Sequence, residues 1–251
     1  MEAETKTLQE VLVGVHFDPL PIGFEGLADW RAMIRDEFPV LQELPQAPPI
    51  SLVPGQIIQA FSNGVELPRL VARVREHTRF VMMQSDRLLV GWTRGTPIGE
   101  VAHYPGYGSL RQHAEGEFRR FFDWSERVVG VRPKRTFIEV AYQNVMPVTF
   151  GGQRYKLGDI FKWVVPSRQV NSFNVNWLEV IDGGLENGRV TGSINLMAFN
   201  EDGPALHGSF VGVAPVASTA DDYDTLASLD VLHDRALDMY RGTITLPAEA
   251  Q

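Results

Sequence analysis

The sequence predicts an α+β protein in which a β-α-β-β-β-α unit is used twice. Three observations carry that prediction. Long apolar stripes recur every three to four residues, the spacing that puts side chains on one face of a helix. Short segments between them alternate apolar and polar residues, the spacing of strands with one buried face. The elements also keep the same order on both sides of residue 130. Strand 10–17, helix 24–38, three strands across 68–93 and helix 107–129 come first. Strand 137–145, a short helical segment near 157–163, three strands across 173–213 and helix 221–240 follow.

The elements can be justified in turn. Phe24, Leu27, Trp30, Ile34 and Phe38 form the first helical stripe, which stops at Pro39. Leu110, Ala114, Phe118, Phe121, Phe122, Ser125 and Val129 form the second, closed by Gly130. Leu226, Leu229, Leu232, Ala236, Met239 and Tyr240 form the third, with Gly242 as its stop. Ser218 or Thr219 would cap it ahead of Asp221, Asp222 and Asp224, whose charges suit the positive end of a helix. Val11, Val13, Val15 and Phe17 alternate as a strand, and Phe80–Gln84 and Leu88–Trp92 flank a hairpin turn at Ser85-Asp86-Arg87. Phe137–Asn144, Asn174–Ile181, Val190–Phe199 and Leu206–Val213 read as strands, the last three separated by loops rich in Gly, Asp and Asn. The proline-rich stretch 45–55 reads as a surface connection. Units of this kind, spanning 1–130 and 131–251, would each bury one face of a curved antiparallel sheet on a long helix. Fused edge to edge they would form a saddle, as in TATA-box-binding-protein-like or helix-grip-like folds, an analogy of shape that carries no function.

Composition bounds the chemistry. The 251 residues carry 23 Lys+Arg against 31 Asp+Glu, a formal charge of −8, and no cysteine. A thiol nucleophile, a disulfide framework and a Cys-ligated metal are therefore excluded. Residues 1–130 hold 13 basic and 17 acidic groups and residues 131–251 hold 10 and 14, so each half is −4. Affinity for nucleic acid comes largely from neutralising phosphates, and no basic surplus exists to do it. The start Met1-Glu2-Ala3-Glu4-Thr5-Lys6 is acidic and polar, unlike a signal peptide, and no apolar run approaches a membrane span. The expectation is a cytoplasmic protein away from the membrane.

No assembled catalytic set is visible. His16, His77, His103, His113, His207 and His233 show neither H-x-x-x-H nor H-E-x-x-H spacing, so no metal site is predicted. No phosphate loop and no G-x-S-x-G elbow occurs, and no cofactor is implied. Three sets of residues remain as binding candidates. Arg87, Trp92, Arg94, Tyr104 and Tyr107 combine rings with polar tips, a composition suited to protein recognition. Arg69, Arg73, Arg75 and Arg79, with His77, share strand parity and could line a basic stripe, or simply a solvated face. His16, Tyr142, Asn144, Asn174 and Asn176 are polar residues on apolar strands and could line a pocket between sheet and helices.

The run Gln84-Ser85-Asp86-Arg87…Trp92-Thr93-Arg94, then Tyr104-Pro105-Gly106-Tyr107 and Glu139-Val140-Ala141-Tyr142-Gln143-Asn144, resembles a sporadically distributed family of uncharacterised bacterial proteins of about this length. Val13–Leu20 and Glu37-Phe38-Pro39 are similar to it as well, so the resemblance covers nearly the whole chain. Gly91 departs from it, standing where the family more often has Asn before the Trp. The patchy distribution implies an accessory gene, as in phage defence or toxin control. The expectation is a non-catalytic protein-binding or regulatory module, with a small-molecule binder or enzyme as the alternative. Its partner would be another protein, and exposed edge strands leave a homodimer open.

Overall fold

The computed structural model describes residues 7–48, 67–95, 102–147, 149–150, 153–154, 174–181, 185, 187–197, 205–217 and 221–244. In chain order these form β1 (Leu8–Phe17), α1 (Phe24–Ile34), β2 (Val40–Leu44), β3 (Arg69–Arg73), β4 (Arg79–Gln84), β5 (Arg87–Thr93) and α2 (Tyr107–Trp124). β6 (Arg135–Pro147), β7 (Thr149–Phe150), β8 (Gln153–Arg154), β9 (Asn174–Val180), β10 (Arg189–Met197), β11 (Ala205–Pro215) and α3 (Asp222–Thr243) follow. Nine strands make one large antiparallel sheet in the order β2-β3-β4-β5-β1-β6-β11-β10-β9, and β7 and β8 pair separately. The α+β class read from the sequence is therefore observed. The short helix expected at 157–163 lies outside the described residues. No helix among the described residues is long and apolar enough to cross a membrane.

The chain packs as two compact units, each discontinuous in sequence. One holds residues 13–137 and 216–219; the other holds 1–12, 138–215 and 220–251. The α1/α2 unit has a core of aromatic rings. Trp30 of α1, fully buried, meets Phe121 of α2 edge-on at 5.2 Å and Trp124 at 5.3 Å, while Phe17 of β1 stacks on Phe121 at 5.3 Å. The Trp124 indole N–H donates to Asp29 Oδ1 at 2.8 Å, so the ring's one polar atom is satisfied. Beyond α2 a π-helical turn, Ser125–Val129, ends at Gly130, whose φ of 75° favours glycine.

Several boundaries differ from the sequence reading for identifiable reasons. α1 stops at Ile34, not at Phe38: the residue before Pro39 is pushed out of helical backbone, though Phe38 stays buried. The chain then forms β2, which the sequence reading missed, because five half-exposed residues on a sheet edge show no alternation. β3, β4 and β5 are the three strands expected across 68–93, and among the described residues β2 precedes them as a fourth between α1 and α2. Asp221 is the cap of α3, its Oδ1 accepting the Asp224 N–H at 2.8 Å. That helix runs through Gly242 to Thr243 and ends where Ile244 turns extended.

In the α3 unit, Leu226, Leu229, Leu232, Ala236 and Met239 bury the stripe of α3 against β10 and β11. β9 lies beyond β10, with Trp177 opposite Gly192. A Cβ at Gly192 would come within 2.2 Å of the Trp177 ring, so glycine is the residue that lets the indole lie flat on the sheet.

If the aromatic core holds the α1/α2 unit, Trp30→Ala costs about 3–5 kcal/mol in denaturant unfolding. Phe24→Ala, on the same helix but 63% exposed, changes stability by less than about 0.5 kcal/mol.

Candidate functional site

The residues singled out from the sequence fall in different places. Arg87 is buried at the start of β5. Its Nε and Nη2 donate to Asp86 Oδ1 and Oδ2 at 2.9 and 3.0 Å, and Nη2 also donates to the Pro48 carbonyl at 2.9 Å. Gln84 exchanges two hydrogen bonds with the Ala47 backbone, at 2.8 and 3.0 Å, and donates to Asp86 Oδ1. Gln84, Asp86 and Arg87 thus clamp the segment after β2 onto the β4–β5 turn. Trp92 sits near the opposite end of β5, also buried, against the Tyr104 ring at 5.1 Å. Arg94 follows β5 and Tyr107 opens α2, each half-buried. The structure therefore joins Trp92 to Tyr104 and sets Arg87 apart from them by the length of a strand.

The basic residues do not share one strand. Arg69 and Arg73 bound β3, with the Arg73 guanidinium 4.8 Å from the Phe80 ring centre. Arg75 lies in the following turn, where His77 has a φ of 59°, so the strand parity expected across 69–79 is broken. Arg79 starts β4, its guanidinium 4.0 Å from the Glu37 carboxylate.

The polar strand residues also separate. His16 is buried on β1 in the α1/α2 unit. In the α3 unit, Asn144 Oδ1 accepts from Thr7 Oγ1 at 3.3 Å, and Tyr142 is hydrogen-bonded to His233 Nδ1. Asn174 and Asn176 are exposed on β9 and bond each other at 2.9 Å. A groove of about 410 Å³ does exist, lined by Phe24, Leu27, Arg31, Leu41 and Leu70 among others, and it includes none of these residues.

What the sequence reading missed lies on α2 of the α1/α2 unit. His113 and Glu117 stand four residues apart, one turn along a single helix face. Glu37, just past α1, reaches the same place, and one ligating atom from each of the three lies within 4.8 Å of the others. The i,i+4 pair His113-x-x-x-Glu117 was visible in the sequence; the third member, far away in the chain, was not. Arg120 bridges the carboxylates, with Nη2 at 3.1 Å from Glu37 Oε2 and Nη1 at 3.3 Å from Glu117 Oε1.

Two atoms in this cluster lack partners. Glu117 is only 2% exposed, yet its Oε2 makes no hydrogen bond, and the buried Nε2 of His113 makes none either. Burial raises the Glu117 carboxyl from the ordinary 4.5 to about 7; Arg120 opposes the rise and Glu37 adds to it. Burial, reinforced by Arg79, holds the His113 imidazole below its usual value. The result is a neutral imidazole and a readily protonated carboxyl side by side, a pairing that can ligate a cation or exchange a proton.

Together the fold and the cluster define an α+β protein on a nine-stranded antiparallel sheet, with a partly buried carboxylate–imidazole group in one unit. No protein-family model matches the chain, and no curated protein matches it in sequence.

A separate pH effect arises in the α3 unit. Burial lowers the pKa of His233 below 6.5; Asp234 and Asp230 oppose this, Arg241 assists it, and the Tyr142 hydroxyl is bonded to the ring. The folded state resists protonating this ring more than the unfolded chain does. Its contribution is therefore full above pH 6.5 and is lost as pH falls through the lower folded value. His233→Gln should flatten the loss of stability below pH 6.5, measured by urea unfolding across pH.

Proposed function

We propose that the chain is a protein-binding, regulatory module that takes up an extended segment of a partner protein along β9. The observation that carries this reading is the contrast between the two ends of the sheet. β2, at one end, is five residues long and is bracketed by Pro39 and Pro45. Short length and flanking proline are devices that keep a sheet edge from pairing with other chains. β9, at the other end, has seven residues and no proline, carries one exposed charge, Glu179, and leaves Val180 65% exposed.

Among the described strands β9 pairs only with β10, so its outer row of backbone N–H and C=O groups faces away from the sheet. A partner strand would bond those groups, while Asn174, Asn176 and Val180 would meet alternate side chains. Trp177, seated on Gly192, keeps β9 in register for that pairing. The −8 net charge supports a protein partner over nucleic acid.

The test places a photo-crosslinking residue at Asn176 and captures partners from the native host. A crosslink to a different polypeptide is expected. Its retention should fall about tenfold or more in Asn176→Lys/Val180→Lys, a change that adds edge charge and leaves the core intact. A crosslink only to a second copy of the chain, or equal retention by the double variant, would contradict the reading.

A further inference from the structure

We propose that Glu37, His113 and Glu117 form a binding site for a divalent transition-metal cation of the zinc class. Two features of the site point to a cation. The ligating atoms already converge to within 4.8 Å, a spacing that a single ion could span. Glu117, a member of the cluster and almost fully buried, has an unpartnered Oε2, and the buried Nε2 of His113, one turn away, is equally unpartnered. Buried polar atoms are nearly always paired, and two orphans on one helix turn are explained together by one shared ligand.

The donor set also chooses among cations. One imidazole nitrogen with two carboxylates suits zinc, cobalt, nickel or ferrous ions, whereas magnesium and calcium prefer oxygen alone. Access runs past Glu37, whose side chain is 35% exposed. Three protein ligands would leave a fourth position for water or a partner's side chain.

Arg120 is the competitor. Its guanidinium holds both carboxylates, and Arg79 stands 4.0 Å from Glu37. A cation must displace Arg120, which is itself partly exposed and can swing into solvent. This gives the site a signature that a chance group of surface acids would lack: removing a charge on the same helix should tighten binding.

The experiment uses the full chain, stripped with EDTA and titrated calorimetrically with Zn²⁺ alone, with Co²⁺ absorption as a report on geometry. One Zn²⁺ per chain is expected, with affinity reduced about tenfold or more in His113→Gln, Glu117→Gln and the partly exposed Glu37→Gln. Arg120→Gln should bind more tightly than the parent, and excess Mg²⁺ should leave the Zn²⁺ isotherm unchanged. Thermal unfolding in EDTA identifies any variant that fails to fold, and Glu37→Gln, outside the buried core, keeps the comparison intact if one does. Equal isotherms for the parent and the folded ligand variants would overturn the assignment. So would weaker binding by Arg120→Gln, or displacement of Zn²⁺ by Mg²⁺.

Discussion

The burial of Trp30 between Phe121 and Trp124 is the contact on which the α1/α2 unit depends. A helix can rotate about its axis until its largest side chains find space, and here three rings settle the rotation of α1 and α2 together. Once Phe118, Phe121, Phe122 and Trp124 face the core, the 3.6-residue repeat fixes where His113, Glu117 and Arg120 must point. The same packing ends α1 near Glu37, because Phe38 buries itself beside the His113 ring at 6.0 Å and Pro39 prevents further helix. The polar cluster is thus placed by apolar forces acting elsewhere on the same two helices.

Placement does not make the cluster comfortable. A carboxyl moved into the interior loses its hydration, and one oxygen of Glu117 gains nothing in return. Its raised proton affinity is the direct expression of that loss. By contrast, the buried Arg87 is fully engaged by Asp86 and Pro48. The two cases separate a polar group that holds the fold from one that the fold merely carries. Residues of the second kind break local rules of stability where a protein does its work. In the α3 unit the corresponding departure is β9, the outermost described strand at its end of the sheet, longer than β2 and free of proline, steadied by one indole on one glycine.

Much of this architecture was legible in the sequence because burial imposes a period. The stripes of α1, α2 and α3, the alternation in β1, the turn between β4 and β5 and the loops separating β9, β10 and β11 were all readable, and the elements appear close to where the pattern puts them. β2 was not readable, since a short half-exposed strand has no buried face to reveal. The contacts of Arg87, one of the recognition candidates, were hidden for another reason. Its partner Pro48 is 39 residues away in sequence, and Ala47, which the neighbouring Gln84 holds, is 37 residues from it. Distance hid Glu37 in the same way: it meets Arg120 across 83 residues, so the His113–Glu117 spacing had no visible third member. Local spacing is written in the chain, whereas convergence depends on packing that no single segment encodes.

The account's central claim is that Glu117 is held in the interior at a cost to stability, for what it can bind. Glu117→Met tests this most directly, because it keeps the volume and removes the carboxyl with its unpartnered Oε2, while Arg120, released from Glu117 Oε1, retains Glu37 at 3.1 Å. Measured by urea unfolding at neutral pH with a chelator present, the variant should be more stable than the parent by about 1–3 kcal/mol. A loss of stability of that size would show that the carboxyl holds the fold together, and would contradict the account.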